Sequence, residues 1–81
     1  MTIRFLPPAQ QALRRHRNVA SRIVAKIEAY AADSAKLANN VKRLQGRPEF
    51  RLRVGDFRIL FLIDGDDLLV VDIAPRGNVY E

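Results

Sequence analysis

The chain has 81 residues, of which 48% are hydrophobic and 28% charged, and it contains no cysteine. This length predicts one small domain over residues 1–81, and the composition is typical of a folded globular protein. The missing cysteines exclude disulfides, thiolate metal sites and a cysteine nucleophile. Fourteen Lys and Arg residues against nine Asp and Glu give a net charge of +5, which fits a polyanionic partner or simply a basic surface.

Neither a membrane span nor a signal peptide is predicted. No run approaches the ~20 apolar residues that a membrane helix needs. The first apolar residues are interrupted at once by Pro7 and Pro8, so a signal-peptide core cannot form there. We therefore expect a cytoplasmic protein that does not bind membranes.

The N-terminal third predicts a strand followed by two helices. Residues 2–6 alternate in polarity like a short strand, and Pro8 is suited to open a helix over residues 8–17. Asn18 is a predicted N-cap for a second helix. The apolar face of that helix recurs at helical spacing, through Val19, Ile23, Ile27, Tyr30 and Ala31.

The segment 33–46 is the least decided part of the chain. Ser34 is suited to cap one short helical turn, which Asn39 and Asn40 would break. Val41 and Leu44 are expected to hold this connection against the core, and Gly46 to end it.

Residues 50–61 predict a β-hairpin with a two-residue loop. Apolar and basic residues alternate before the loop, which is the pattern of a half-buried strand. Gly55 and Asp56 suit a type II′ turn. This loop places Arg53 directly opposite Arg58, a pairing of like charges that costs stability unless an anion lies between them.

A second turn at 64–67 and a strand over 68–74 complete the predicted order β-α-α-β-β-β. The fold class is therefore α+β, with an antiparallel sheet packed on the N-terminal helical hairpin. If Val71 and Ile73 point into the core, Asp72 points outward among the arginines. Arg51, Arg53 and Arg58 then share the outer face, either as a binding site or merely as a solvated surface, with Asp72 or Asp56 as structural partners of Arg58.

Three segments resemble the RelE/ParE superfamily of toxin–antitoxin toxins: NVKRLQG at 40–46, FRLRVGDFRILF at 50–61 and VVDIAPRGNVY at 70–80. The resemblance covers nearly the whole chain and favours the RelE-like branch. It implies the RelE-like microbial ribonuclease fold and a toxin that cleaves mRNA in the ribosomal decoding site. Such cleavage uses the 2′-hydroxyl of the RNA and requires no metal or cofactor.

The resemblance also assigns roles to residues. Arg58, Arg76 and Tyr80 take the catalytic positions. Arg51 and Arg53 take the family's phosphate-binding positions. The concentration of basic charge between residues 42 and 58 adds Lys42, Arg43 and Arg47 as expected RNA or phosphate ligands. The implied partners are a cognate antitoxin, in a toxin–antitoxin hetero-oligomer, and mRNA on the ribosome.

The chain departs from the family pattern at two points. Some members carry lysines where this chain has Arg51 and Arg53, and several carry a histidine where it has Pro75. His16, the one histidine, lies among helix arginines, where we expect a solvated or helix-end residue. Two other functions therefore stay open: a ParE-like toxin that inhibits DNA gyrase without catalysis, and a nucleic-acid-binding module without catalysis.

Overall fold

A computed structural model describes residues 1–75. Two helices and a 3₁₀ helix precede four of the five strands of a single sheet. The elements are β1 (Thr2–Phe5), α1 (Pro7–Arg15), α2 (Arg17–Ala32), the 3₁₀ helix (Ser34–Asn40), β2 (Val41–Arg43), β3 (Phe50–Val54), β4 (Phe57–Asp64) and β5 (Asp67–Pro75). The α+β class is confirmed. No helix in the described part of the chain is long and apolar enough to cross a membrane.

The sheet has the strand order β1-β5-β4-β3-β2 and is mixed. The predicted antiparallel succession β3-β4-β5 is confirmed, with two-residue loops at Gly55 and Gly65. The structure adds two features. β1 pairs in parallel with β5, and β2 forms within the undecided segment and extends the sheet beyond β3.

The junction between the helices differs from the prediction. α1 ends at Arg15 and α2 begins at Arg17, so the single residue His16 occupies the N-cap position that was predicted for Asn18. No side chain caps α2 at this end. The His16 ring instead packs edge-on against Phe57, with the ring centroids 4.9 Å apart. This contact ties the helix junction to the tip of the β3–β4 hairpin.

The helices cover one face of the sheet, here called the inner face. Their small and branched residues interlock with the apolar side chains of the strands in one buried cluster. Its members are Ala9, Ala12, Ile23, Ile27, Leu52, Val54, Ile59, Phe61, Leu68, Val70 and Ile73. The predicted apolar face of α2 is confirmed, since Ile23 and Ile27 are buried while Val19, Tyr30 and Ala31 pack against the cluster.

A β-bulge in β5 changes which of its residues face the core. Leu60 pairs with Asp72 but Phe61 pairs with Val70, so Val71 has no partner on β4. Ile73 points inward, but Val70 takes the place considered for Val71. The extra residue reverses the alternation on one side of it. Asp72 consequently faces outward, opposite Leu60.

Candidate phosphate-binding face

The sheet face opposite the helices carries four basic side chains from three adjacent strands. Directly opposite residues in a sheet point to the same face. Lys42 pairs with Arg51 across β2 and β3, and Arg53 pairs with Arg58 across β3 and β4. These four residues, called the outer cations below, therefore form two neighbouring rows on the outer face.

The β3–β4 turn fixes the position of the second row. Gly55 has a φ of +56°, which L-residues adopt at a cost, and no residue other than glycine has a positive φ within 1–75. Only the first loop residue is left-handed, as the type II′ turn predicts. Val54 then pairs with Phe57, which sets Arg53 opposite Arg58 with Cβ atoms about 4.5–5.5 Å apart.

A cavity of about 180 Å³ opens beside the outer cations. It is lined by Asn39, Asn40, Lys42, Arg51 and Arg53. Ammonium and guanidinium groups only donate hydrogen bonds, and the two amides supply further donors. The cavity therefore suits an anion of phosphate size. Sequence analysis assigned Asn39 and Asn40 only a helix-breaking role, because their place beside Arg53 depends on the pairing of β2.

Leu60 and Asp72 lie next to these rows. Leu60 is 3% exposed although it points away from the main core. The Oδ1 atom of Asp72 accepts a 2.8 Å hydrogen bond from the backbone N–H of Ile73, which fixes the carboxylate just after the bulge. The outer face thus has an apolar floor and one oriented acid beside its basic residues.

Two other predicted phosphate ligands lie elsewhere. Arg43 pairs with Phe50, on the inner side of the sheet, and its guanidinium lies 5.8 Å from the centroid of the Phe50 ring. Arg47 lies in the β2–β3 loop, where Nε and Nη2 donate to the two oxygens of Glu49 at 3.1 and 3.2 Å. These hydrogen bonds lower the pKa of the Glu49 carboxyl. Neither arginine lines the small cavity, although Arg43 borders a depression of about 330 Å³ together with Lys42 and Arg51.

A larger depression of about 630 Å³ surrounds that loop, between Arg43 and Pro48. Arg47, which lines it, is already engaged by Glu49, and neither Arg53 nor Arg58 lines the depression. The small cavity is the better candidate because convergent charge, not volume, selects an anion.

Arg76 and Tyr80, the two other predicted catalytic residues, lie outside the described residues. β5 ends at Pro75, which pairs with Phe57, and Ala74 lies opposite Arg58. Within residues 1–75, no group of three or more His, Cys, Asp or Glu side chains is arranged to hold a metal ion.

The profile of a family described as the ParE toxin of type II toxin–antitoxin systems matches residues 3–80. No curated protein matches the sequence.

Several solved structures with the same fold are toxin–antitoxin complexes. The archaeal RelE–RelB complex from Pyrococcus horikoshii matches with a TM-score of 0.75 at 16% identity, covering 96% of this chain and 97% of that one. The Escherichia coli RelBE complex matches with a TM-score of 0.73 at 13% identity, covering 95% and 98%. The RelBE2 complex from Mycobacterium tuberculosis matches with a TM-score of 0.61 at 23% identity, covering 93% and 96%.

Proposed function

The chain belongs to the ParE toxin family of type II toxin–antitoxin systems, within the RelE/ParE superfamily, and on this premise we propose that it is a ribosome-dependent mRNA endonuclease. The observation that carries the proposal is the pairing of Arg53 with Arg58 beside the small donor-lined cavity. Because Arg53 and Arg58 face the same side of the sheet from directly opposite positions, both guanidinium groups can approach one anion. A phosphodiester there would accept charge-assisted hydrogen bonds from both.

Cleavage of an RNA phosphodiester requires fixed positive charge, which the outer cations supply. Attack of a ribose 2′-oxygen on the adjacent phosphorus places negative charge on the phosphate oxygens and on the leaving 5′-oxygen. Fixed cations aimed at those atoms stabilise the transition state more than the ground state. We assign Arg58, with Arg76, to the scissile phosphate, and Arg51 and Arg53 to the neighbouring backbone and the leaving oxygen.

A residue other than the outer arginines must act as the acid or base. Arginine has a pKa above ~12 and stays charged at neutral pH, so the outer arginines act by electrostatics and not as acid or base. Pro75 occupies the position where several relatives carry a histidine. In this proposal Tyr80 supplies the general base or stacks on a base of the codon.

A toxin of this class has an antitoxin as its partner, and the structural neighbours are themselves toxin–antitoxin complexes. We propose a hetero-oligomer in which acidic residues of the antitoxin neutralise the basic surface of this chain. Release of the antitoxin would then free the outer cations for mRNA.

The test is a reconstituted translation reaction in which the ends of the mRNA are mapped by primer extension. Cuts at codon spacing are expected only when ribosomes are present. Arg58→Ala should lower the cleavage rate about 10²–10³-fold, as loss of one transition-state donor does. Lys36→Ala is the matched control, because it removes one exposed charge from the 3₁₀ helix and should cut normally.

Two results would contradict the proposal: intact mRNA with the wild-type protein, or cleavage by Arg58→Ala at the wild-type rate. Circular dichroism of each variant must first show that the fold is retained.

Inhibition of DNA gyrase is the second candidate function. It is favoured by the match to the ParE family and by the absence of the lysines and the histidine at positions 51, 53 and 75. A supercoiling assay with purified gyrase separates the two candidates. Loss of supercoiling together with intact mRNA would favour this function. In that case Arg58→Ala would have no effect on mRNA cleavage, because the wild-type protein would not cleave mRNA either.

A further inference from the structure

The first third of the chain is basic without any compensating acid. Residues 1–27 contain six Lys and Arg residues and no Asp or Glu, and the first acidic residue is Glu28. Four of the six lie where α1 meets α2: Arg14, Arg15, Arg17 and Arg22, called the junction cations below. All four are exposed.

Arg14 and Arg15 lie in the last turn of α1, where the helix dipole favours a cation, but Arg17 and Arg22 have no such support. Within residues 1–75, none of the four junction cations forms an ion pair with a carboxylate, whereas Arg4 pairs with Asp67 and Arg47 with Glu49. Arg17 begins α2, where the positive end of the helix dipole disfavours a cation. Arg22 and Lys26 stand four residues apart on α2, which is a repulsive spacing for like charges. Unpaired and locally unfavourable cations are expected where an external anion compensates them.

Two contacts bring this cluster to the tip of the β3–β4 hairpin. The His16 ring packs on Phe57, which precedes Arg58 in β4. The guanidinium of Arg22 lies against Gly55, since a Cβ built there would be 3.0 Å from Nη2 of Arg22. Arg22 and the helix junction therefore lie at the hairpin tip, on the side of the sheet opposite Arg53 and Arg58.

The chemistry of the cluster identifies its partner. Protein interfaces are centred on buried apolar or aromatic anchors, and charged residues are depleted there. The exposed large apolar side chains within residues 1–75 are Met1, Leu6 and Ile63, none of which lies at the helix junction. A phosphate backbone, in contrast, is bound by exposed Lys and Arg residues without apolar anchors.

We infer that the junction cations bind the phosphate backbone of ribosomal RNA while the outer cations hold the mRNA. The inference rests on the proposed function for the identity of the nucleic acid. The two clusters then have different tasks: the junction cations attach the toxin to the ribosome, and the outer cations act on the scissile phosphate.

The test is the salt dependence of binding to purified 30S ribosomal subunits, measured by co-sedimentation. Arg17→Gln/Arg22→Gln is compared with Arg4→Gln/Lys36→Gln, which removes the same charge from outside both clusters. Between 50 and 200 mM salt, the wild-type protein should lose about seven- to twelvefold more affinity than the junction variant, as expected for two fewer phosphate contacts. The control should follow the wild type. Arg14→Gln/Arg15→Gln serves as a second junction variant should the first not fold.

Three outcomes are distinct. A junction variant with the affinity and salt slope of the control overturns the inference. A junction variant that binds 30S subunits normally but loses its purified antitoxin also overturns it, in favour of a protein partner. Intact mRNA with wild-type protein, together with the expected change in salt slope, contradicts the nuclease proposal alone and supports an RNA-binding junction.

Discussion

The outer cations and the junction cations are two groups of four basic residues that the fold holds in different ways. The outer cations stand on paired strands, so their spacing is set by the register of the sheet, and Arg51 and Arg58 are partly buried. The junction cations stand on the last turn of α1 and the first two turns of α2, with exposed side chains. Catalysis requires charges fixed to within a fraction of an ångström, whereas counterion release requires only their number. Under the two proposals, arginine provides fixed charge for catalysis in the first region and charge for binding in the second.

Replacement of Phe61 by Ala should have the largest effect, because it removes the support that both regions share. Phe61 is 1% exposed and packs with Tyr30 of α2 and Phe50 of β3. Loss of such a side chain costs about 3–5 kcal/mol, a large part of the stability of so small a domain. Urea unfolding measures it. Ile63→Ala on the same strand is the control, since Ile63 is 43% exposed, and an equal loss there would contradict a shared core.

Replacement of Gly55 by Ala should act on both sides of the hairpin tip. The positive φ costs roughly 1–2 kcal/mol for an L-residue, and the new methyl group would displace the Arg22 guanidinium. Gly65→Ala is the matched control, because its φ is +61° but nothing lies within 4 Å of the added Cβ. Both variants should lose similar stability in urea unfolding. A shallower salt slope for 30S binding is expected only for Gly55→Ala, and the same slope in both would separate the tip from the junction cations.

The smallest effect is expected from Arg53→Gln, which removes the opposed like charge. The free energy of unfolding should rise by about 0.2–1 kcal/mol while mRNA cleavage falls. Urea unfolding at low salt measures the first effect and primer extension the second. Lys36→Gln should change neither. A loss of stability in Arg53→Gln would show that Arg53 is a structural residue and not one kept for its ligand.

Local patterns were sufficient to predict much of the fold. Alternation with a Gly-Asp loop specified the β3–β4 hairpin and its register, and helical spacing specified the buried face of α2. The three strands β3, β4 and β5 lie next to each other in sequence and in space, so their pairing required no distant information. The outer positions of Arg51, Arg53 and Arg58 followed from that register.

The remaining features depend on tertiary context. β2 has only three residues and becomes a strand because β3 offers it an edge. His16 replaces Asn18 at the helix junction because Phe57 packs against its ring. Because of the bulge, Val70 faces the core in place of Val71. This could not be predicted from the sequence, because residues 68–71 are all apolar and fit either alternation. The junction cations were given no role because three of them are neighbouring helix arginines, and their signal is the absence of acids over residues 1–27.

The parallel pairing of β1 with β5 has a consequence for folding during synthesis. Thr2 pairs with Asp67, so β1, which is synthesised first, cannot form its pairing until residues 67–70 have been synthesised. Contacts between such distant residues slow the search for the native state. Until β5 has been synthesised, β4 also lacks one of its two flanking strands, so the position of Arg58 in the sheet is not fixed. We therefore expect the outer cations to reach their final arrangement only after residues 67–75 have been synthesised.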